Sequence, residues 1–176
     1  MSGIINTPTY IIRAGEIEDS EALFKISKSI ISEREYFITV PEEFEMTLEQ
    51  HREHIRELLN KEKETLFVAE IEGLVVGSIV FRSQTTKRQS HIGTISMSID
   101  KEYRGIGIGK ALLKSLLDWV EKSPVIEKVC LGVFSTNDRA VSLYKSMGFI
   151  EEGRKVKEFK INDNTYVDDI LMYKFV

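Results

Sequence analysis

Gly105, Gly107 and Gly109 alternate with Ile106 and Ile108, with Arg104 just before them and Lys110 just after. An apolar alternation ends upstream at Ile99, and an amphipathic helical pattern starts downstream. A glycine-rich turn between a strand and a helix gathers several backbone N–H groups around one point, at the positive end of the helix dipole. A phosphate or pyrophosphate suits that point. The competing explanation is a tight turn whose glycines only supply unusual backbone angles. Two common phosphate motifs do not fit. A P-loop has about four residues between its first glycine and the Gly-Lys pair, then Ser or Thr. Here Gly105 and Gly109 are too close, and Ala111 follows Lys110. The dinucleotide fingerprint sets its third glycine one residue further on, within an early βαβ unit.

The elements that must position this turn follow from periodicity. Residues 10–13 read as a strand, and Asp19 is placed to cap a helix with Ala22, Leu23, Ile26 and Ile30 inward. Periodicity lapses over residues 33–45, where Tyr36, Phe37, Val40 and Phe44 are interleaved among acids: a loop with apolar anchors. Thr47 and Gln50 form a capping box for a second helix carrying Ile55, Leu58 and Leu59. Residues 65–71 and 74–81 alternate as a hairpin about Glu72-Gly73, with Gly77 marking a bulge or a close backbone approach. Residues 91–99 form the strand that leads to the glycine turn. Leu113, Leu116, Leu117 and Val120 make the next helix amphipathic. Residues 126–134 are an apolar run typical of a strand buried on both faces. A helix with Ala140, Leu143 and Met147 inward then stops at Gly148. Two last strands flank Asn162-Asp163-Asn164. The order β-α-α-β-β-β-α-β-α-β-β predicts an α/β (mixed α+β) fold: a mixed, mostly antiparallel sheet of about seven strands, helices on both faces, and parallel strand-helix-strand units.

The length fits one domain, residues 1–176. A net charge of −4 argues against nucleic acid as the main partner, which would favour a basic face. Cys130 sits within an apolar run as a small core residue, and neither it nor His51, His54 and His91 shows metal-ligand spacing. No apolar run is long enough for a membrane span, and the first six residues lack the pattern of a secretory leader. The expectation is a cytoplasmic protein with no membrane and no metal.

Arg104-x-x-Gly107-x-Gly109 resembles the Arg/Gln-x-x-Gly-x-Gly/Ala signature of the GCN5-related N-acetyltransferase (GNAT) superfamily. Asn137-Asp138-Arg139-Ala140-Val141-Ser142-Leu143-Tyr144-Lys145-Ser146-Met147-Gly148-Phe149 is similar to that family's Asn-x-x-Ala-x-x-Leu-Tyr-x-x-x-Gly-Phe segment. The resemblance runs from Tyr10 to the C-terminus. It implies the GNAT fold and direct acetyl transfer from acetyl-CoA, a co-substrate, to an amine of a small molecule or a peptide.

Residue by residue, it implies that amides of Gly105, Ile106, Gly107, Ile108, Gly109 and Lys110, behind Arg104, hold the pyrophosphate. Met97, Ser98 and Ile99 would face pantetheine and the thioester across a splayed strand pair. Asn137 would bond the coenzyme's arm, and Tyr144 would contact the leaving sulfur as catalytic acid. Some relatives carry a glutamate five residues before the Asn, where this chain has Gly132, so the base stays open among His91, the acids of the 33–45 loop and water. Asp168 and Asp169 either line the acceptor pocket or face solvent, and Tyr36 and Phe37 are candidate acceptor contacts. A homodimer through the C-terminal strands is a family habit.

Overall fold

The computed structural model describes residues 9–176. The reading of the first six residues as no secretory leader lies outside them. Chain order is β1 (Ile11–Ala14), α1 (Ser20–Glu33), α2 (Leu48–Leu59), β2 (Thr65–Ile71), β3 (Leu74–Ser83), β4 (Ile92–Ile99), α3 (Ile108–Val120), β5 (Lys128–Phe134), α4 (Asp138–Ser146), β6 (Ile150–Asn162) and β7 (Thr165–Phe175). One seven-stranded sheet runs β1-β2-β3-β4-β5-β7-β6. Every neighbouring pair is antiparallel except β4 and β5. This is the mixed fold expected from the element order. One pairing differs: β7 inserts between β5 and β6, so the second strand-helix-strand unit joins strands that are not neighbours.

Helices cover both faces. Leu112, Leu113, Leu116 and Val120 of α3 are sealed against Ile79, Phe81, Val129, Leu131 and Met172 of the sheet. On the opposite face Leu23 and Ile26 of α1 and Ile55 and Leu58 of α2 close over Leu66, Val68 and Val75. The Thr47 capping box forms as read: Gln50 N–H donates to Thr47 Oγ1 at 3.2 Å, and Thr47 N–H donates to Gln50 Oε1 at 2.9 Å.

Two local readings are corrected. Asp19 stands at the N-cap of α1 as read, but its side chain makes no capping bond. Its carboxylate instead accepts a two-toothed bond from Arg13, 2.8 Å on each oxygen, which holds it below the usual carboxylate range. The β5 strand is not buried on both faces: Val129, Leu131 and Val133 point into the α3 core, while Gly132 is exposed and Cys130 half-buried, because α1 and α2 lie over β2, β3 and β4. In α4 Ala140, Leu143 and Met147 pack inward against the core as read, partly covered, and Tyr144 is the side chain that is buried. Gly148, at φ +87°, ends the helix as read, and the Phe149 N–H bonds the Tyr144 carbonyl at 3.0 Å.

Candidate functional site

The only parallel pair of the described sheet is also the shortest. β4 and β5 stay in register over Ile92, Gly93 and Thr94 against Lys128, Val129 and Cys130, and then part. Met97, Ser98 and Ile99 remain bonded to β3 on one side and face a gap on the other. Strand alternation says what they offer there. Asp100 N–H donates to the Val76 carbonyl of β3 at 2.9 Å, so the backbone groups of Ile99 and Met97 turn the other way, into the gap. Gly77 serves both purposes read for it. It lies at the β2–β3 irregularity, and a Cβ there would stand 3.1 Å from the Ser98 carbonyl, so a larger residue would push the end of β4 back by a few tenths of an ångström.

At the mouth of the gap lies a cleft of about 700 Å³. Its walls are Met97, Ser98 and Ile99 of β4, the turn of Arg104, Gly105, Gly107, Gly109 and Lys110, and Thr136, Asn137 and Arg139 at the start of α4. Glu33, Tyr36 and Phe37 close it from the far side.

The turn is shaped for an anion. Gly105 and Gly107 adopt φ +89° and +95°, a conformation closed to most side chains, and Gly107 sits at the N-cap of α3 with no side-chain cap bond. The first turn of α3 holds no acid. A helix normally meets its free N–H groups with Ser, Asp or Glu. Here a lysine stands in the first turn instead, and Arg139 leans over the loop with Nη2 3.2 Å from the position a Cβ on Gly105 would take. The arrangement leaves the helix end to an outside negative group.

Arg104 is committed inward. Its guanidinium forks onto Glu33, 2.7 Å to each carboxylate oxygen, and its Nε donates to the Ile99 carbonyl at 2.9 Å. It thus ties the end of α1 to the tip of β4 and leaves the Ile99 N–H turned to the gap. Glu33→Gln removes one charge from a largely buried pair. It is expected to cost about 2 kcal/mol, seen as a Tm lower by about 4–8 °C in thermal unfolding, with weaker coenzyme binding by calorimetry.

Asn137 spends its side-chain oxygen on the Ala140 N–H at 3.1 Å, so its amide NH2 is left to donate. Tyr144 lies two turns along the same face of α4, about 10 Å deeper by helix geometry. It does not line the cleft: it is 7% exposed, behind Ala140 and Leu143, with its ring 5.7 Å from that of Phe149. Burial pushes its phenol up to about 12. Ile106 packs at the core edge and Ile108 is buried, so both offer backbone only.

His91 begins β4 at the paired end, with its carbonyl accepting from Glu127 and Lys128, and a whole strand separates it from the cleft. That removes it as a base. Burial raises the Cys130 thiol, which keeps it a poor nucleophile. Tyr36 and Phe37 reach the cleft as read. Sequence reasoning missed Arg139 and the Glu33–Arg104 pair. The signal for Arg139 was a basic residue in the first turn of a helix, where an acid is the norm. Among the described residues no group of His, Cys, Asp and Glu could hold a metal, and no helix is long and apolar enough to cross a membrane.

The parted strand pair and the uncapped, glycine-ended helix thus set an open gap and a seat for an anion side by side. A model described as the acetyltransferase (GNAT) family matches residues 30–149, and the chain belongs to that family. The N-alpha-acetyltransferase of Sulfurisphaera tokodaii is 29% identical over 170 residues, 90% of this chain and 87% of that protein. The L-amino acid N-acetyltransferase AaaT of Escherichia coli is 30% identical over 105 residues, 60% of this chain but 64% of AaaT, under two thirds of that protein's length. In fold, an acetyltransferase of the GNAT family from Streptococcus pneumoniae superposes with a TM-score of 0.89 at 24% identity, over 96% of this chain and 100% of that one.

Proposed function

We propose that this chain is a single-domain enzyme that moves the acetyl group of acetyl-CoA to the primary amine of a small molecule, by direct attack in a ternary complex. The observation that carries the reading is the gap between β4 and β5, opening onto the Gly105–Gly109 turn at one end and onto Tyr36 and Phe37 at the other. The amides from Gly105 to Lys110, with Lys110 and Arg139 beside them, suit the pyrophosphate. The Ile99 N–H is placed to take the thioester oxygen as it gains charge. Asn137 would bond the arm through its amide. Tyr144 lies behind the cleft wall, so it would donate to the departing sulfur only where the arm passes the cleft and reaches its phenol, which is protonated throughout the neutral range. The reading takes the protein to be cytoplasmic. It also takes it to be a homodimer, supported by the exposed Ile150, Val156 and Ile161 on the β6 edge.

A second acceptor class has its own support. The N-alpha-acetyltransferase relative spans more of this chain than the amino-acid one does, and it favours a protein N-terminus. Release of coenzyme A thiol from acetyl-CoA separates the readings, measured against polyamines, amino acids, aminated antibiotics and short peptides. Turnover on a small amine is the expected result. Turnover on peptides alone moves the acceptor to the N-terminal class, and binding of acetyl-CoA with no turnover on any amine leaves a silent coenzyme-binding module.

A further inference from the structure

In the parted half of β5, Gly132 carries no side chain, and the place where its Cβ would stand is filled from the neighbouring strand. Asp169 of β7 puts Oδ1 2.7 Å and Oδ2 3.2 Å from that position. A side chain at 132 would therefore displace this carboxylate from where it stands. Asp169 is 9% exposed.

Strand parity places this carboxylate on a definite face. Val80 packs against the α1–α2 core, and Val80 and Ser78 pair with Ser96 and Ser98. Thr94 pairs with Cys130, and Phe134 with Asp169. Ser96, Ser98, Gly132, Phe134 and Asp169 therefore share the α1–α2 face, opposite the face covered by α3. A donor held at the N-terminus of α3 leaves the other side of the gap to the acceptor, and Asp169 stands on that side. Asp169 lies outside the lining of the cleft itself, on the β5–β7 side of the gap, whereas Glu33, which does line the cleft, has both carboxylate oxygens bound by Arg104.

The groups around Asp169 leave it available. On β6, Lys155 Nζ lies 3.8 Å from Oδ2, a loose and half-exposed pair that Glu158 shares at 3.3 Å. From β5 it meets Gly132 and Phe134, and along its own face of β7 Val167 and Leu171, none of them charged. The adjacent Asp168 is engaged elsewhere, since its Oδ1 accepts from the Lys157 N–H at 2.8 Å and supports a bulge in β6.

We propose that Asp169 is the carboxylate that receives the acceptor's ammonium group and takes a proton from it. The assignment rests on the acetyl-transfer reading above. In the step, one N–H bond breaks and one O–H bond forms on Asp169. The nitrogen keeps the electron pair it needs for attack, and the carboxylic acid returns its proton to water, so nothing else is consumed.

The test is kcat/KM of the full chain and of Asp169→Asn across pH for one acceptor from the panel, with acetyl-CoA affinity as the control. A variant without the base must use amine that is already neutral, a fraction that grows about tenfold per pH unit below the amine's own pKa. The expected result is a deficit of about 100-fold near neutral pH that closes as pH approaches that pKa, with acetyl-CoA affinity unchanged. No deficit, or a constant offset at every pH, overturns the assignment. Should Asp169→Asn fail to fold, the exchange Gly132→Glu with Asp169→Gly returns a carboxylate to the same volume. A wild-type-shaped profile in it supports the role, and a folded, coenzyme-binding but inert exchange variant overturns it. Wild-type chain that binds acetyl-CoA but acetylates no amine sinks the acetyl-transfer reading itself, a different outcome from a normal wild type with an unaffected Asp169→Asn.

Discussion

Tyr144→Phe is expected to lower kcat by about 100-fold while acetyl-CoA affinity stays within about twofold. The substitution keeps the ring, which is sealed in the core and tilted against Phe149, so the fold has no reason to change. What is lost is one donor. Its nature can be narrowed from magnitudes. Burial sets the phenol at about 12, whereas a free thiol titrates near about 8.5. Full transfer of the tyrosine proton to the departing thiolate is thus uphill by about 3.5 units, or about 5 kcal/mol. A hydrogen bond to the developing thiolate carries no such penalty. The phenol can then pass a proton to sulfur while regaining the one shed by the newly bonded nitrogen, which keeps protons balanced. Because the folded value is raised, the protonated donor persists at neutral and moderately basic pH and is lost only as pH rises through about 12. An alkaline limb nearer neutrality belongs to another group. Steady-state kinetics of the purified variant decide it, and a kcat within twofold of wild type, by the order-of-magnitude rule for one donor, removes Tyr144 from the mechanism.

Gly107→Val is expected to weaken acetyl-CoA binding by about 100-fold or more. Two costs combine. Valine at φ +95° is strained by about 1–3 kcal/mol, and its Cβ would sit 3.1 Å from the Tyr10 hydroxyl. The branched side chain would also crowd the N–H groups at the head of α3, where each bond to a charged oxygen contributes about 1.5–3 kcal/mol. The helix itself should survive, anchored by Ile108, Leu112, Leu113 and Leu116 in the core. Gly73→Val is the matched control. Gly73 has a similar φ of +81° but nothing within 4 Å of its would-be Cβ, and it lies in the β2–β3 turn. It should lose stability without changing coenzyme affinity. Calorimetric titration of both variants checks the pair, and unchanged affinity in Gly107→Val sinks the assignment of the turn.

These expectations rest on features that differ in how far the chain alone reveals them. The turn from Arg104 to Lys110, the Thr47 capping box, the Glu72-Gly73 hairpin and the Gly148 stop are local. Each depends on residues within one or two turns of each other, where backbone angles and periodicity leave few choices. The order of the strands and helices follows from the same short-range signals and stands as read. Asn137 and Tyr144 were legible for a similar reason, since their spacing sets them on one stripe of a helix.

The parts that would do the chemistry depend on distance in space. Glu33 meets Arg104 across 71 positions of chain, and no local pattern joins them. The parting of β4 from β5 after three paired residues needs the whole sheet, because a strand's sequence does not say where its neighbour leaves it. Insertion of β7 between β5 and β6 likewise decides that Asp169 fills the space above Gly132, whereas alternation along β7 alone left that aspartate equally free to face solvent. The burial of Tyr144 belongs with these, for only the assembled core sets the dielectric around its phenol. The sequence by itself determined the family, the element order and the glycine turn proposed to seat the coenzyme's phosphates, since those need only neighbours along the chain. The tertiary structure decided which acids are tied and which are left without a close partner, because pairing across the sheet and competition for burial set those contacts.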